Sequence, residues 1–377
     1  MFQILNYFAY LHIKVYINIV IKYITKKILY GILVLYGVIT VIFFLFNVLP
    51  GDPATIMLGQ RANKDAIDAI HKDLGTDKPI IEQYARYLND LSPISIHNYT
   101  NHDSHWYLSI DKYSWKPLFT IGTNKVVVVK FPYLRRSYIT KRRVSDIITE
   151  TLPETAVLAF TSIVIASIVG IFLGIISAIR RNTIYDRMSL VLAVLGMAAP
   201  SFFVGLIIAW LFGYVLKDYT GLSPTGSLYD IDVWDGEKLK LKNLILPSIT
   251  LGIRPLAIVV QLMRSSLLDV MSQDYIRTAK AKGLSMTSVI IKHALKNALN
   301  PVVTAISGWF AALMAGAVFV EYIFSWKGIG YEVFEALTKN DLPVVMGATI
   351  IFATIFVVTN IFVDIAYGVL DPRVRVK

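Results

Sequence analysis

The chain has 377 residues, 55% of them hydrophobic and 17% charged, with a net charge of +11. A soluble domain carries charge on about a quarter of its residues, so this much apolar sequence calls for lipid as a second solvent, and the positive excess suits loops against an anionic membrane face better than nucleic acid. There is no cysteine, which excludes disulfides, thiolate metal sites and cysteine nucleophiles.

Residues 1–27 form an N-terminal extension. Its first part, 1–19, is aromatic and apolar and reads as an interfacial helix or as the product of a start codon placed too early. Residues 28–49 carry no charge and reach the length of about 20 residues that one crossing needs. The segment 50–153 is mixed. Within it 65–74 reads as a short helix ended by Gly75, 78–88 as a second helix with Pro79 at its start, and the β-branched run 125–131 as a strand. Residues 154–370 hold five further apolar stretches, at 155–179, 188–216, 244–263, 301–320 and 342–363. The fold class is therefore an all-α membrane protein of about six transmembrane helices, with a mixed segment after the first. Gly170 and Gly174 give the second span a small-residue face, and Gly196 with Pro200 kinks the third.

Charge sets the orientation. Lys22, Lys26 and Lys27 precede the first span, Arg180, Arg181 and Arg187 follow the second, and Arg264, Arg277, Lys280, Lys282, Lys292 and Lys296 lie between the fourth and fifth. The intervening short loops are acidic or mixed. By the positive-inside rule both termini, including the tail 371–377, are expected in the cytoplasm, and 50–153 outside.

The loop 264–300 is too regular to be a connector. Residues 274–282 are helical in composition. Gly283 stands where a helix end needs a left-handed residue, and Ser285 caps a second helix over 286–299. The expected shape is a helix–glycine–helix elbow with Ala279 and Leu284 at its apex. Such an apolar knob in a basic frame serves either as a docking surface or as an amphipathic element on the lipid surface.

Three other groups carry charge or metal-binding chemistry. Arg254, inside the fourth span, either lines a solute path or snorkels to the outer surface from a span that starts later. Arg264 and Asp364, at the same depth, are candidates for a structural pair. His97, His102 and His105 lie in polar sequence and read as a solvated loop rather than a metal site. No metal or cofactor is expected. An ion-driven transporter would place carboxylates at mid-membrane, and a membrane enzyme would gather acid, base or metal groups at one depth. Neither pattern appears in the apolar stretches.

The run Asp274-Tyr275-Ile276-Arg277-Thr278-Ala279-Lys280-Ala281-Lys282-Gly283-Leu284-Ser285, followed by Lys292-His293-Ala294-Leu295-Lys296-Asn297-Ala298, resembles the signature loop of the inner-membrane permeases of ABC importers, in particular the dipeptide/oligopeptide branch. Only Ala279 and Gly283 match the general signature. Arg277 and Thr278 replace its Glu and Ala, and His293 and Lys296 its later Ile and Pro, departures typical of the peptide branch. Similar motifs follow in order: Pro50–Ala54, Thr151–Thr155, Gly196 to Phe202, Phe324–Gly330 and Asp371–Arg373. Residues around 97–143 fall outside the pattern and read as an insertion.

The resemblance implies a pore-forming subunit paired with a second related permease, two cytoplasmic ATPases beneath and an extracytoplasmic solute-binding protein above. It makes Asp274, Tyr275, Arg277, Thr278, Ala279, Lys282, Gly283, Leu284 and Ser285 the contact with an ATPase. Apart from the resemblance, Arg254, Gly196 and Pro200 are the candidates for the translocation path, the kink at Gly196 and Pro200 serving as a gate or as packing. The solute is a peptide by family default, with oligosaccharides and metal chelates as alternatives. No G-x-x-x-x-G-K-[ST] phosphate loop occurs, so ATP is expected to bind the partner subunits.

Overall fold

The computed structural model describes residues 2–48, 52–58, 64–101, 104, 106–232 and 236–370. Pro50 and Gly51, His102 and His105, and the tail motif Asp371–Arg373 lie outside these residues. The chain divides into two compact units, one of residues 1–34, 153–331 and 354–377, the other of 35–152 and 332–353. The second unit thus draws on the start of the last long helix as well as on the segment after the first span.

Helix α1 (Phe2–Val48) takes in the N-terminal extension and the first span without a break. No proline or glycine precedes Gly31, so nothing in the sequence stops the helix. Three short helices follow: α2 (Pro53–Leu58), α3 (Lys64–Leu74) and α4 (Ile80–Leu91). Gly75, at φ +74°, ends α3 in the left-handed region, and Pro79 stands as the cap of α4.

Next comes an antiparallel sheet of β1 (Ile94–Asn98), β2 (Trp115–Ile121) and β3 (Lys125–Lys130), in the order β1-β3-β2. The four consecutive valines of β3 suit the central strand, and Val128 is fully buried. The sequence reading anticipates β3 only. In β1, His97 points inward with Ser95, just 2% exposed, and packs 4.7 Å from the ring of Tyr113. His97 is therefore a core residue and not part of a solvated loop. Burial lowers its pKa to about 4, so it is neutral. Asp90 and Lys130 are buried beside it. The Tyr113 hydroxyl donates to Asp90 at 2.6 Å, and Lys130 Nζ donates to the Asp90 carbonyl at 2.5 Å.

The remaining elements are α5 (Val144–Ile179), α6 (Ile184–Ala198), α7 (Ser201–Ile208) with a π-helical continuation over Ala209–Val215, α8 (Lys217–Thr220), the hairpin β4 (Tyr229–Asp232) and β5 (Gly236–Leu239), then α9 (Ile245–Met271), α10 (Asp274–Ala281), α11 (Met286–Ser288), a π turn over Val289–Ala294, α12 (Leu295–Gly316), α13 (Val318–Phe324), α14 (Ile329–Thr338) and α15 (Leu342–Leu370). Long helices thus begin earlier or run further than the apolar stretches alone suggested. Among the described residues, five helices are long and apolar enough to cross a membrane, and the α6–α7 pair forms a sixth if counted as one span.

That pair is bent by 110°, which is a break rather than the anticipated kink. Pro200 bars the preceding residue from helical geometry, and Ala199 is extended at φ −73°, ψ 134°. The neighbouring helices show that the pair crosses. Along α5 and α9 the close contacts advance in the same sense: a Cβ on Gly252 would meet the Ser162 carbonyl at 3.0 Å, one on Gly170 would meet Val259 Cβ at 2.9 Å, and one on Gly174 would meet Met263 Cβ at 2.6 Å. The two helices are therefore parallel, and the chain between them must return to the side on which α5 began. The small-residue face of Gly170 and Gly174 permits this close approach. By the same reasoning α1 and α15 are antiparallel. Lys27 binds Asp364 at 2.6 Å, while a Cβ on Gly31 would meet Val357 at 2.9 Å and Ile361 at 3.0 Å.

Candidate functional site

The elbow is built from a helix end that the sequence specifies closely. Gly283 has φ +80°, its N–H donates to the Lys280 carbonyl at 2.9 Å, and the Leu284 N–H donates to the Ala279 carbonyl at 3.4 Å. These two bonds form a Schellman motif, which needs a left-handed residue at the Gly283 position. Ser285 then caps α11, its side chain accepting from the Ser288 N–H at 3.4 Å. The second helix of the elbow is not free-standing: α11, the π turn and α12 run on into the fifth span, Met286–Ala315.

The elbow is anchored on one face only. Ile276 and Ala279, three residues apart, pack with Met263, Leu267, Val289, Ala294 and Ala298. Ala279 is 6% exposed and so belongs to the anchoring face, not to the apex, because the i, i+3 spacing puts it beside Ile276. Tyr275 Oη accepts from Asn297 Nδ2 at 2.8 Å, tying α10 to α12. Thr278 Oγ1 donates to the Asp274 carbonyl, and Arg277 reaches Asp274 at 3.3 Å in a fully solvated pair that contributes little to stability. The protruding surface consists of residues 280–287, all exposed, with Lys282, Gly283, Leu284, Ser285 and Met286 in sequence.

Behind the elbow, the expected Arg264–Asp364 pair does not form. Arg264 binds Asp186, Nε to Oδ1 at 2.6 Å and Nη2 to Oδ2 at 2.8 Å, and Asp364 binds Lys27. Asp186 also accepts from Ser177 Oγ at 2.5 Å and from the Asn182 N–H at 2.9 Å. The physical reason is local. Asn182, at φ +65°, turns the chain between α5 and α6, which brings the first turn of α6 back over α5, and α6 packs against α9. The sequence reading missed Asp186 because it lies in a short loop notable for its arginines. A carboxylate five residues beyond Arg181 was the available signal.

A second cluster joins two of the sequence motifs. Glu321 is fully buried and accepts from Thr155 Oγ1 at 2.6 Å and from the Tyr331 N–H at 3.0 Å. Thr155 accepts in turn from the Ile329 N–H at 2.9 Å, and Trp326 Nε1 donates to the Glu154 carbonyl at 3.0 Å. Glu321 on α13 and Thr155 on the distant α5 thus each satisfy one of the first amides of α14. A Cβ on Gly328 would lie 2.4 Å from both Glu321 and Thr155, so glycine is required there. Burial pushes the Glu321 carboxyl up to about 7, against the pull of the Thr155 and backbone hydrogen bonds.

Within the spans, α6, α7, α9 and α12 enclose a cavity of about 170 Å³ lined by Gly196, Ser201, Thr250, Arg254 and Trp309 among others. Arg254 and Gly196 both reach it, while Pro200 makes the break that opens it. Arg254 lies in the interior of the long helix Leu241–Met271 and is exposed on the single chain. Among the described residues no three His, Cys, Asp or Glu side chains gather as a metal site.

The sequence profile of binding-protein-dependent transport system inner membrane components matches residues 170–376, and the N-terminal profile of the same membrane components matches residues 20–104. The chain is 33% identical over 370 residues to the dipeptide transport system permease protein of Alkalihalophilus pseudofirmus, covering 94% of this chain and 99% of that one. It is 32% identical to the glutathione transport system permease protein of Escherichia coli, covering 95% and 100%. It is also 32% identical to the di/tripeptide transport system permease protein of Pseudomonas aeruginosa, covering 90% and 94%. The chain belongs to the family of binding-protein-dependent transport system inner membrane components.

Proposed function

We propose that this chain is the pore-forming permease subunit of an ABC importer for peptide-like solutes, and that the 280–287 tip of its elbow seats in a cleft of a cytoplasmic ATPase. The observation that carries the coupling role is the form of the elbow: a rigid Schellman turn and a capped second helix, anchored through Ile276 and Ala279, with every residue from 280 to 287 exposed. A lipid-surface helix would present a continuous apolar face instead. The printed activities of the relatives, dipeptide, di/tripeptide and glutathione transport, support a peptide-like solute.

A second related permease completes the pore, two ATPase subunits bind and hydrolyse ATP, and an extracytoplasmic binding protein delivers the solute. Both termini and the elbow face the cytoplasm, on the basis of the lysines and arginines flanking α1, α6 and α10. Coupling requires the ATPase pair to bind one arrangement of the two elbows more tightly than the other, since only differential affinity shifts a conformational equilibrium. Co-expression tests the assembly. The candidate ATPase should co-purify with the wild-type chain, and its failure to do so under conditions that preserve the permease pair would refute the reading.

A further inference from the structure

The cavity between α6, α7, α9 and α12 is lined by a single charged group, the Arg254 guanidinium, beside the Ser201 and Thr250 hydroxyls and the Trp309 indole. Arg254 carries up to five N–H donors and no acceptor, and the Trp309 indole is a donor only. The Thr250 hydroxyl is already committed, donating to the Leu246 carbonyl at 2.9 Å. No carboxylate or amide side chain lines the cavity. A ligand that compensates Arg254 in this lining is an anion.

Arg254 needs such a partner. It makes no hydrogen bond or ion pair with the described residues. The fourth span runs Leu241–Met271, which at about 1.5 Å per residue places Arg254 roughly 20 Å from one end and roughly 26 Å from the other. Snorkelling serves residues near helix ends and does not serve this one. An intramembrane cation this far from either end of its helix is sustained by water in a cavity or by an opposite charge. The cavity it reaches holds about 170 Å³. A cavity of about 150 Å³ admits a benzene-sized molecule, so this one takes the end of a solute rather than a whole peptide.

We propose that Arg254 is the centre of an anion subsite in the translocation path that receives the C-terminal carboxylate of the passing peptide, with Trp309 walling the site. The inference rests on the peptide-importer reading above and deepens it. The C-terminal carboxylate is the anion common to unmodified peptides of any sequence, so a subsite for it recognises the class and leaves side chains unread. A single charged contact also remains weak enough to release its ligand, as conduction requires.

The test uses the complete importer in proteoliposomes, with its ATPases, second permease and binding protein. ATP-driven uptake of trialanine and of trialanine amide is compared for the wild type, Arg254→Gln and Arg254→Lys. Arg254→Gln is expected to lower trialanine uptake by about tenfold, the scale of one charge-assisted hydrogen-bonded contact, while amide uptake stays at its wild-type rate. Arg254→Lys keeps the charge but loses the fork and should retain most trialanine uptake. Equal loss for both peptides, or failure of the Gln variant to assemble, would overturn the subsite in favour of a structural pair with the neighbouring permease. Unchanged trialanine uptake would overturn it outright. If the wild type moves neither peptide, the peptide reading fails and the subsite with it, whereas a peptide importer indifferent to Arg254 defeats the subsite alone.

Discussion

Gly283 shapes the elbow through its backbone and not through side-chain contacts. No atom lies within 4 Å of a Cβ placed there, so a substitution meets no steric wall. Its cost is the φ of +80°, about 1–2 kcal/mol for an ordinary side chain. Gly283→Leu is therefore expected to insert and fold but to open the elbow and abolish ATP-dependent uptake. Gly283→Asn, which tolerates the left-handed region, should keep most of it. Uptake assays on both variants check this, and a Leu variant with wild-type uptake would count against a coupling role. Glu321 is a residue of a different kind. Its folded-state pKa of about 7 lies above the ordinary 4.5, so the folded protein holds a proton that the unfolded chain gives up. The associated stability is complete below about pH 4.5 and is lost as pH rises through about 7, on the order of a few kcal/mol in total. Thermal unfolding in detergent at about pH 5 and about pH 7.5 should show a fall for the wild type that Glu321→Gln lacks. Parallel behaviour of the two proteins would contradict it.

At the scale of elements, the Asp186–Arg264 pair ties the α5–α6 turn to α9 at the level of the elbow's anchoring core. The Asp186 side chain is 3% exposed, and its oxygens are filled by Arg264, Ser177 and a backbone amide. Removing either partner strands a buried charge, so Asp186→Ala or Arg264→Ala should each cost about 3–5 kcal/mol. The double variant Asp186→Ala, Arg264→Ala should cost less than the sum of the two. A double-mutant cycle on thermal stability measures the coupling, and additive losses would show that the pair is not a unit. Much of the elbow was legible in sequence because its determinants are local: a glycine at a helix end and a serine before the next helix. The burial of Ala279 was not, because its place depends on the core it packs into beside Ile276. The clamp was not, because Asp186 and Arg264 are 78 positions apart and their pairing depends on a left-handed Asn182. Depth along the spans suggested Asp364 instead, but depth fixes only one coordinate of three. Strands β1 and β2 were missed for a related reason. Ile94-Ser95-Ile96-His97 alternates correctly, yet the inward histidine reads as polar until Tyr113 and the valines of β3 enclose it.

Across the whole chain, the span count follows from contacts that hydropathy cannot supply. The 110° break at Ala199–Pro200 would suit a re-entrant loop as well as a broken span. The parallel approach of α5 and α9 requires the chain to cross between them. The break also puts irregular backbone at membrane depth, which is tolerated where it lines a cavity, and the cavity of Gly196, Ser201 and Arg254 lies there. The cavity and the elbow thus share α9, which carries Arg254 near its middle and Leu267 in the elbow's core. A shift of the elbow has a continuous helix through which to reach the cavity.

The chain contains no cysteine, which allows a direct test of where the elbow points. Leu284→Cys, labelled with a photoactivatable cross-linker in membranes containing the assembled importer, should yield an adduct with the ATPase subunit on illumination. The same label at Ile249→Cys, within α9, should not. An ATPase that co-purifies with the permease but is never captured from position 284 would contradict the coupling role of the elbow.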